Sequence, residues 1–280
     1  MNKFKTLLIK DFHTNKKTLL MPFWITAGFY ALMIIGLIIA YFRGEIPMDF
    51  FRIDGVPAFP ALNYMSNLAM ASMPGTLCLI FTIMLAQGAL NEDIRRNYEL
   101  FHRSQPVSLW KRVTSKFTIS VLGSWVVFFA IVLFNFILTN IVLAIIGQFH
   151  FSSAFSGMLQ AGVATLRYAI LIGSIAYFFS SVFKDKAFLK GAALILGIQV
   201  LFGIMNVWFK WSLPLPASFL LSLFRVDINM MGAESATEIS NFINQRWNEV
   251  LWNMKVVWQL LFSGAMFIVG TLIYNFKEVK

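Results

Sequence analysis

The chain has 280 residues and a formal net charge of +10, with 58% apolar and only 13% charged residues. Soluble domains average roughly 45–50% apolar and about 25% charged residues, so too little polar surface is present here to coat a soluble particle. The composition indicates an integral membrane protein and excludes disordered, collagen-like and coiled-coil chains. The single cysteine, Cys78, rules out an intramolecular disulfide, and the three histidines are too scattered in sequence to suggest a histidine-rich metal enzyme.

Charge-free apolar stretches predict six spanning helices, because a span needs about 20 apolar residues. The stretch 117–166 would be a helix of about 75 Å, more than twice a hydrocarbon core of about 30 Å, so it must turn, and Gly147–Gly157 is the expected place. We expect a single all-α membrane domain over 1–280. The first span is not expected to be a cleavable signal peptide, because its apolar stretch is too long. The predicted spans are 18–42, 67–90, 117–146, 157–183, 191–209 and 256–276.

Lys and Arg are unevenly divided between the two sets of loops. Five precede the first span, six lie in 91–116, three in 184–190 and two after the last span, whereas 43–66, 147–156 and 210–255 together hold six. Cytoplasmic loops carry an excess of Lys and Arg, so both termini are predicted to be cytoplasmic. The basic charge is then explained by topology, without a nucleic-acid partner.

The outer loop 210–255 contains a 12-residue apolar run, 213–224, opened by two prolines. The run is too short to span and too apolar for a free loop, so it predicts a re-entrant or interfacial segment. The following part has apolar residues at helical spacing, and Trp247, Trp252 and Trp258 suit a membrane interface. The alternative is a lid docked on the rest of the protein.

The connection 91–116 is the most informative stretch. Its first part predicts a polar helix with three i,i+4 pairs of opposite charge, and Pro106 predicts a bend. Ser108 is placed to cap a second helix, whose apolar stripe is Leu109, Val113 and Phe117 and which runs into the third span. One interpretation is a solvated amphipathic connector; the other is a docking element for a partner.

This connection resembles the segment between the second and third spans of the type-2 permease family of ABC exporters. The N-terminal segment 1–17 is similar to that family's short amphipathic helix before the first span. The family's usual Gly-Thr is replaced by Asn97-Tyr98, and its Leu–Leu by Leu100-Phe101. The positions that carry the resemblance are Glu92, Glu99, Phe101, Pro106, Val107, Ser108 and Lys116.

The resemblance implies the membrane subunit of an ATP-driven exporter in a bacterial-type cytoplasmic (inner) membrane. Two permease subunits, identical or sister chains, would pair with two separate ATPase subunits among membrane lipids. The chain contains no G-x-x-x-x-G-K-[ST] sequence, so ATP and Mg would be bound by the ATPase and no cofactor by this chain, which is not expected to be an enzyme. The residues implied to couple it to the ATPase are Glu92, Arg95, Arg96, Glu99, Phe101 and Pro106.

Arg167 is the one charged residue within a predicted span. It either lies near the membrane midplane, as an anion or headgroup contact in a substrate path, or at the outer headgroups if 151–164 lies along the surface. Asn135, Asn140, Gln199 and Asn206 either form interhelical hydrogen bonds or line the same path. A lining rich in Phe and Met would suit an amphipathic or lipid-like cargo.

Three other functions remain open from the sequence. A secondary transporter or channel would need ionisable residues along its path, and only Arg167 qualifies. A non-transporting membrane scaffold could use the connection 91–116 as a docking site. A membrane enzyme would need a catalytic constellation, which the sequence does not suggest.

Overall fold

The computed structural model describes residues 3–44, 59–91, 107–145, 147, 149–224 and 236–278. Regular structure within these ranges is entirely helical, which confirms the all-α class. The helices are α1 (Lys3–Phe42), α2 (Phe59–Gly88), α3 (Leu109–Thr118), α4 (Ser124–Ile145), α5 (Phe151–Val182), α6 (Ala187–Phe209), α7 (Pro216–Phe224), α8 (Ala236–Leu251) and α9 (Met254–Glu278).

Six helical segments of the described residues are long and apolar enough to cross a membrane, which confirms a multi-pass membrane protein with the predicted number of spans. They correspond to α1, α2, the continuous α3–α4, α5, α6 and the α8–α9 region. Several run past the apolar stretches of the sequence, and α1 joins 1–17 and 18–42 into one helix of 40 residues from Lys3. Helix continues through Lys16 and Lys17 because lysine has a good helix propensity.

Helix α5 is the centre of the bundle. It packs along α2 on one side and α9 on another, and many of its residues are buried. Small residues allow the close approach: a Cβ at Gly157 would lie 2.6 Å from the backbone oxygen of Tyr64, and one at Gly270 of α9 would lie 3.2 Å from Cα of Phe178. Small residues of this kind let helix backbones pack closely where lipid offers no hydrophobic driving force.

Helices α1 and α6 lie at the edge of the bundle. The most apolar window of α6 has no buried residue, and that of α1 is 6% buried. Large apolar side chains such as Trp24 and Leu32 of α1, and Leu196 and Val207 of α6, are exposed. These two faces are therefore the surfaces on which lipid or another chain can pack.

After α6 the chain turns back along the helix that it has just left. Asn206 closes the turn, since its Nδ2 donates to the Leu213 carbonyl at 3.0 Å and its Oδ1 accepts from the Leu213 amide at 2.8 Å. Further on, the Ala217 amide donates to Oε1 of Gln199 at 2.9 Å. Gln199 lies about 15 Å before the end of α6, so α7 begins well below the turn.

A π-helical turn over Ile119–Gly123 joins α3 to α4 without a break in the helix. A Cβ at Gly123 would lie 3.1 Å from Leu19 of α1, and one at Gly173 of α5 would lie 2.7 Å from Val121. Such turns insert one extra residue and are frequent at functional positions of helices. The turn therefore packs between α1 and α5 and changes the face that α3 presents relative to α4.

We expect Gly157→Ala to destabilise the fold, because the added methyl group meets the Tyr64 backbone rather than a side chain that can move. Overpacking of this kind costs about 1–3 kcal/mol. Gly197→Ala on the open side of α6 is the matched control, since a Cβ there meets no atom of the described residues within 4 Å. Thermal unfolding in detergent should show a lower midpoint for Gly157→Ala alone; equal midpoints would contradict this packing.

Candidate functional site

The middle of the connection 91–116 lies outside the described residues, and so do all six predicted coupling residues. For Glu92, Arg95, Arg96, Glu99, Phe101 and Pro106 the coupling role stays a prediction. Both ends of the connection are described, at Asn91 and from Val107 onward. Its attachment to the bundle can therefore be followed on each side.

On the first side, Asn91 ties the end of α2 to the end of α5. Its Nδ2 donates to the Phe183 carbonyl at 2.7 Å and, at 3.4 Å, to the Gln87 carbonyl. Phe183 follows the last residue of α5, so no later N–H of that helix can donate a hydrogen bond to its carbonyl. The side chain thus occupies a helix end that would otherwise need water or another cap.

On the second side, α3 begins at Leu109 after Ser108, as predicted, but the Ser108 side chain forms no capping hydrogen bond. The expectation of a side-chain cap is therefore wrong, although the position of the helix start is confirmed. The predicted stripe is also confirmed, because Val113 is buried in a cluster against which Leu109 and Phe117 pack. That cluster also contains residues of α2, α5 and α9.

Two polar contacts fix α3 to its neighbours. Nζ of Lys116 donates to the Ala89 carbonyl at 2.8 Å, just beyond the end of α2. Oγ of Ser115 donates to Oδ2 of Asp11 at 2.5 Å, and both residues are buried. A hydrogen bond to a carboxylate is stronger than one between neutral groups. We call the contacts of Asp11, Asn91, Ser115 and Lys116 the connector joint.

Arg167 lies near the middle of α5 and donates four hydrogen bonds within the protein. Nε and one terminal nitrogen bind Oε1 of Gln259 at 3.0 and 2.8 Å, and the other nitrogen binds the carbonyls of Glu249 and Val250 at 3.3 and 2.6 Å. Gln259 is itself buried, and its Nε2 donates to the Leu223 carbonyl of α7. One guanidinium therefore links α5 to α8 and α9 directly, and to α7 through Gln259.

The contact between Arg167 and α8 lies at the C-terminal end of that helix. Glu249 and Val250 are among the last residues of α8, which ends at Leu251, so their carbonyls have no partner within the helix. A positive charge at a helix C-terminus is also favourable for the helix dipole. Arg167 thus caps α8 where this helix ends against the bundle.

Gln160 makes a second side-chain contact with a carbonyl of α8, here within the helix, and the sequence did not single it out. Its Oε1 accepts from the Tyr64 hydroxyl at 2.6 Å, and its Nε2 donates to the Ile243 carbonyl at 3.1 Å. Gln160 and Arg167 are seven residues apart on α5, and the carbonyls that they bind, at Ile243 and Val250, are seven apart on α8. The two helices therefore run side by side in the same direction, and α8 is held at both ends of this stretch.

The other predicted path residues fall into two separate places. Asn135 donates to the Met70 carbonyl at 3.1 Å, and Asn140 donates to Oδ1 of Asn67 at 3.2 Å, so both join α4 to α2. Gln199 and Asn206 instead hold the chain that returns along α6. The structure does not bring the two pairs together, and it shows all four in hydrogen bonds within the chain.

The segment 151–164 is continuous with the rest of α5. It is not a separate surface helix ahead of Arg167, as one of the two sequence interpretations required. Among the described residues, no group of three or more His, Cys, Asp or Glu side chains could hold a metal ion.

Comparison with known proteins gives no relative: the chain matches no family model, no curated protein and no solved structure.

We expect Arg167→Leu to destabilise the protein, because it leaves the carbonyls of Glu249 and Val250 and Oε1 of Gln259 without their donor. Loss of a buried hydrogen bond to a charged group costs about 1.5–3 kcal/mol. Gln259→Leu should have a similar effect, and the double variant should cost less than the sum because the two residues share one network. Thermal unfolding in detergent would measure all three.

Arg246→Leu is the matched control for this cycle. Arg246 also lies in the α8 region, but its pairing with Glu249, at 2.9 Å, is an i,i+3 helix contact. Pairs of that type contribute about 0.2–0.5 kcal/mol. Strict additivity of Arg167→Leu and Gln259→Leu, or an equal loss in Arg246→Leu, would contradict the network.

Proposed function

We propose that the chain is the permease subunit of an ATP-driven ABC exporter in a bacterial-type cytoplasmic membrane. The observation that carries the proposal is the connector joint. It anchors both ends of the connection 91–116, whose sequence resembles the coupling segment of the permease family. A merely solvated loop needs no buried attachment. Here the connection leaves from Asn91, which is bonded to the end of α5, and returns at Ser115 and Lys116, which are bonded to α1 and to the end of α2.

The joint offers a route by which force on the connection would reach the spans. Asp11 lies on the N-terminal part of α1, and its partner Ser115 lies one turn before the π-helical turn that leads into α4. Movement of the connection would therefore act on α1 and α4 together, while Asn91 acts on α2 and α5. In this mechanism, closure of two partner ATPases, which hold ATP and Mg, moves these helices and opens the transporter outward by alternating access.

The proposed topology places both termini and the connection on the cytoplasmic side. It rests on the excess of Lys and Arg in the corresponding loops. With Val182 at the cytoplasmic boundary, a core of about 30 Å would extend along α5 to about residue 163, so Arg167 would lie roughly 6 Å inside the outer boundary. The exposed Trp252 and Trp258 would then lie near the outer interface, where tryptophan is favoured.

The return of the chain after α6 supports a re-entrant segment on the outer side. The Ala217 amide binds Gln199, about 15 Å along α6 from its end, so 213–217 descends beside a spanning helix. Non-helical backbone at that depth needs internal partners, which Gln199 and Asn206 provide. We propose that α7 and α8 form the outer part of the transport unit around an amphipathic or lipid-like cargo.

The second permease subunit would pack on the exposed faces of α1 and α6. Both faces carry large apolar side chains and open glycines, since a Cβ at Gly28 or Gly197 would meet none of the described residues within 4 Å. Glycines of this kind let two helices approach closely in a membrane. Lipid could cover these faces equally well. The pairing of two permease subunits is therefore part of the proposal and does not itself support it.

Labelling with a membrane-impermeant maleimide tests the topology. Asn244→Cys, on the exposed side of α8 and beyond the outer boundary estimated above, should label in intact cells, and Ser108→Cys should label only after permeabilisation. The native Cys78 should contribute little background because it is buried. Labelling of Ser108→Cys from outside would reverse the orientation and remove the connection from any cytoplasmic ATPase.

Copurification tests the function itself. We expect a P-loop ATPase to copurify with the wild-type chain, and the double variant Glu92→Ala with Glu99→Ala to lose either that subunit or transport-linked ATPase stimulation. Truncation of one partner in a buried charged contact can cost about 2–5 kcal/mol, whereas exposed i,i+4 pairs within a helix contribute only about 0.2–0.5 kcal/mol. The double variant should remain folded and in the membrane.

Glu249→Ala is the control for this experiment, because it removes a carboxylate on α8, far along the chain from the connection, and should leave ATPase association unchanged. A double variant that keeps its ATPase and transports normally would contradict the coupling role. Absence of any ATPase from the wild-type complex would instead favour a secondary transporter, a channel or a scaffold.

A further inference from the structure

A cleft of about 460 Å³ opens where α2 ends and α6 begins. Met84, Gln87 and Gly88 line it from one face of α2, and the turn between α5 and α6 lines it with Lys184, Lys186 and Leu189 among others. The volume falls within the range of about 300–1,000 Å³ typical of small-ligand sites. Asn91 of the connector joint also lines the cleft, whereas the predicted path residues Arg167, Asn135, Asn140, Gln199 and Asn206 do not.

The cleft combines two kinds of surface. At its polar end are two ammonium groups, at Lys184 and Lys186, and the carboxylate of Asp185, so the lining has an excess of positive charge. At its apolar end Met84 and Leu189 are 46% and 65% exposed. Such a junction of cationic and apolar surface is typical of a site for an amphipathic anion.

Among the described residues nothing packs over Gly88, so the space is open on that side. A Cβ built there would meet no atom within 4 Å. One helical turn deeper than Met84, Ile80 is also 46% exposed and lies on the same face of α2, four residues earlier. The apolar surface therefore continues from the cleft along α2 towards the middle of the bundle, in the direction that an acyl chain would follow.

We propose that this cleft binds the headgroup of an anionic phospholipid. Its phosphate is held by Lys184 and Lys186, and an acyl chain lies along Met84 and Ile80 of α2 beside Leu189 of α6. This proposal depends on the arrangement of these helices in a membrane and does not depend on the exporter function. A failure of the ATPase experiment would therefore leave it untouched, and its own failure would leave the exporter proposal untouched.

The test uses the full-length protein in a mild detergent, titrated with phosphatidylglycerol or phosphatidylcholine and observed by native mass spectrometry. We expect one phosphatidylglycerol per chain to bind in preference to phosphatidylcholine. Each lysine that contacts an anionic headgroup contributes about fivefold in affinity, so Lys184→Gln with Lys186→Gln should weaken binding roughly 25-fold. Both side chains are exposed, so this variant should keep the fold.

Two matched variants separate a built cleft from general surface charge. Lys190→Gln removes one positive charge one turn into α6 but outside the cleft lining and should retain binding, whereas Lys184→Gln alone should weaken binding about fivefold. Gly88→Leu changes no charge, fills the open space and should abolish the preference for phosphatidylglycerol. Equal losses in Lys190→Gln and in the Lys184 and Lys186 variants, or wild-type binding in Gly88→Leu, would overturn the proposal.

A soluble competitor distinguishes a lipid from a free phosphate compound. Millimolar glycerol 3-phosphate should fail to displace phosphatidylglycerol, because it lacks the chains that contact Met84 and Leu189. Displacement by glycerol 3-phosphate at the affinity of the lipid would overturn a lipid site and assign the cleft to a soluble phosphate.

Discussion

The end of a helix inside an apolar bundle leaves carbonyl groups that must find donors within the protein, and much of this architecture depends on how α5 supplies them. Arg167 of α5 donates to the last carbonyls of α8, and Asn91 donates to the carbonyl that follows α5 itself, while Gln160 adds a contact with the Ile243 carbonyl inside α8. An unsatisfied backbone group costs several kcal/mol in hydrocarbon. These few side chains therefore decide where α8 can end and how it lies on the bundle.

The same constraint explains why the polar residues of the apolar helices do not gather in one place. Each forms hydrogen bonds with groups next to it in the fold. Asn135 and Asn140 join α4 to α2, while Gln199 and Asn206 bind the backbone that returns beside α6. Arg167 combines both tasks, since it caps α8 and also orients Gln259, which in turn reaches α7. A transport role for Arg167 would have to use a side chain that already holds three helices together.

Much of the fold could be predicted from the sequence, because long charge-free apolar runs leave few alternatives to spanning helices. The start of α3 at Leu109 and its buried stripe followed from local spacing. The partners of Arg167 could not be predicted, since Gln259 lies 92 residues further along the chain and any of several polar residues could have met it. Gln160 was missed for the same reason, although a lone amide seven residues before an arginine on one helix face was a usable signal. The burial of Asp11 against Ser115 could not be predicted either, since the two residues are 104 positions apart in the chain.

The π-helical turn at Ile119–Gly123 sets the angle between the two halves of a continuous helix. If the same residues wound instead as regular α-helix, the extra residue would no longer be absorbed, and everything before the turn would rotate by about 100° relative to α4. Ser115 would then face away from Asp11, and Lys116 away from Ala89, while the apolar face of α4 stayed in place. A switch of this one turn from π- to α-helix, with no change elsewhere in α4, would therefore separate the partners of the connector joint while leaving a protein that still inserts into a membrane.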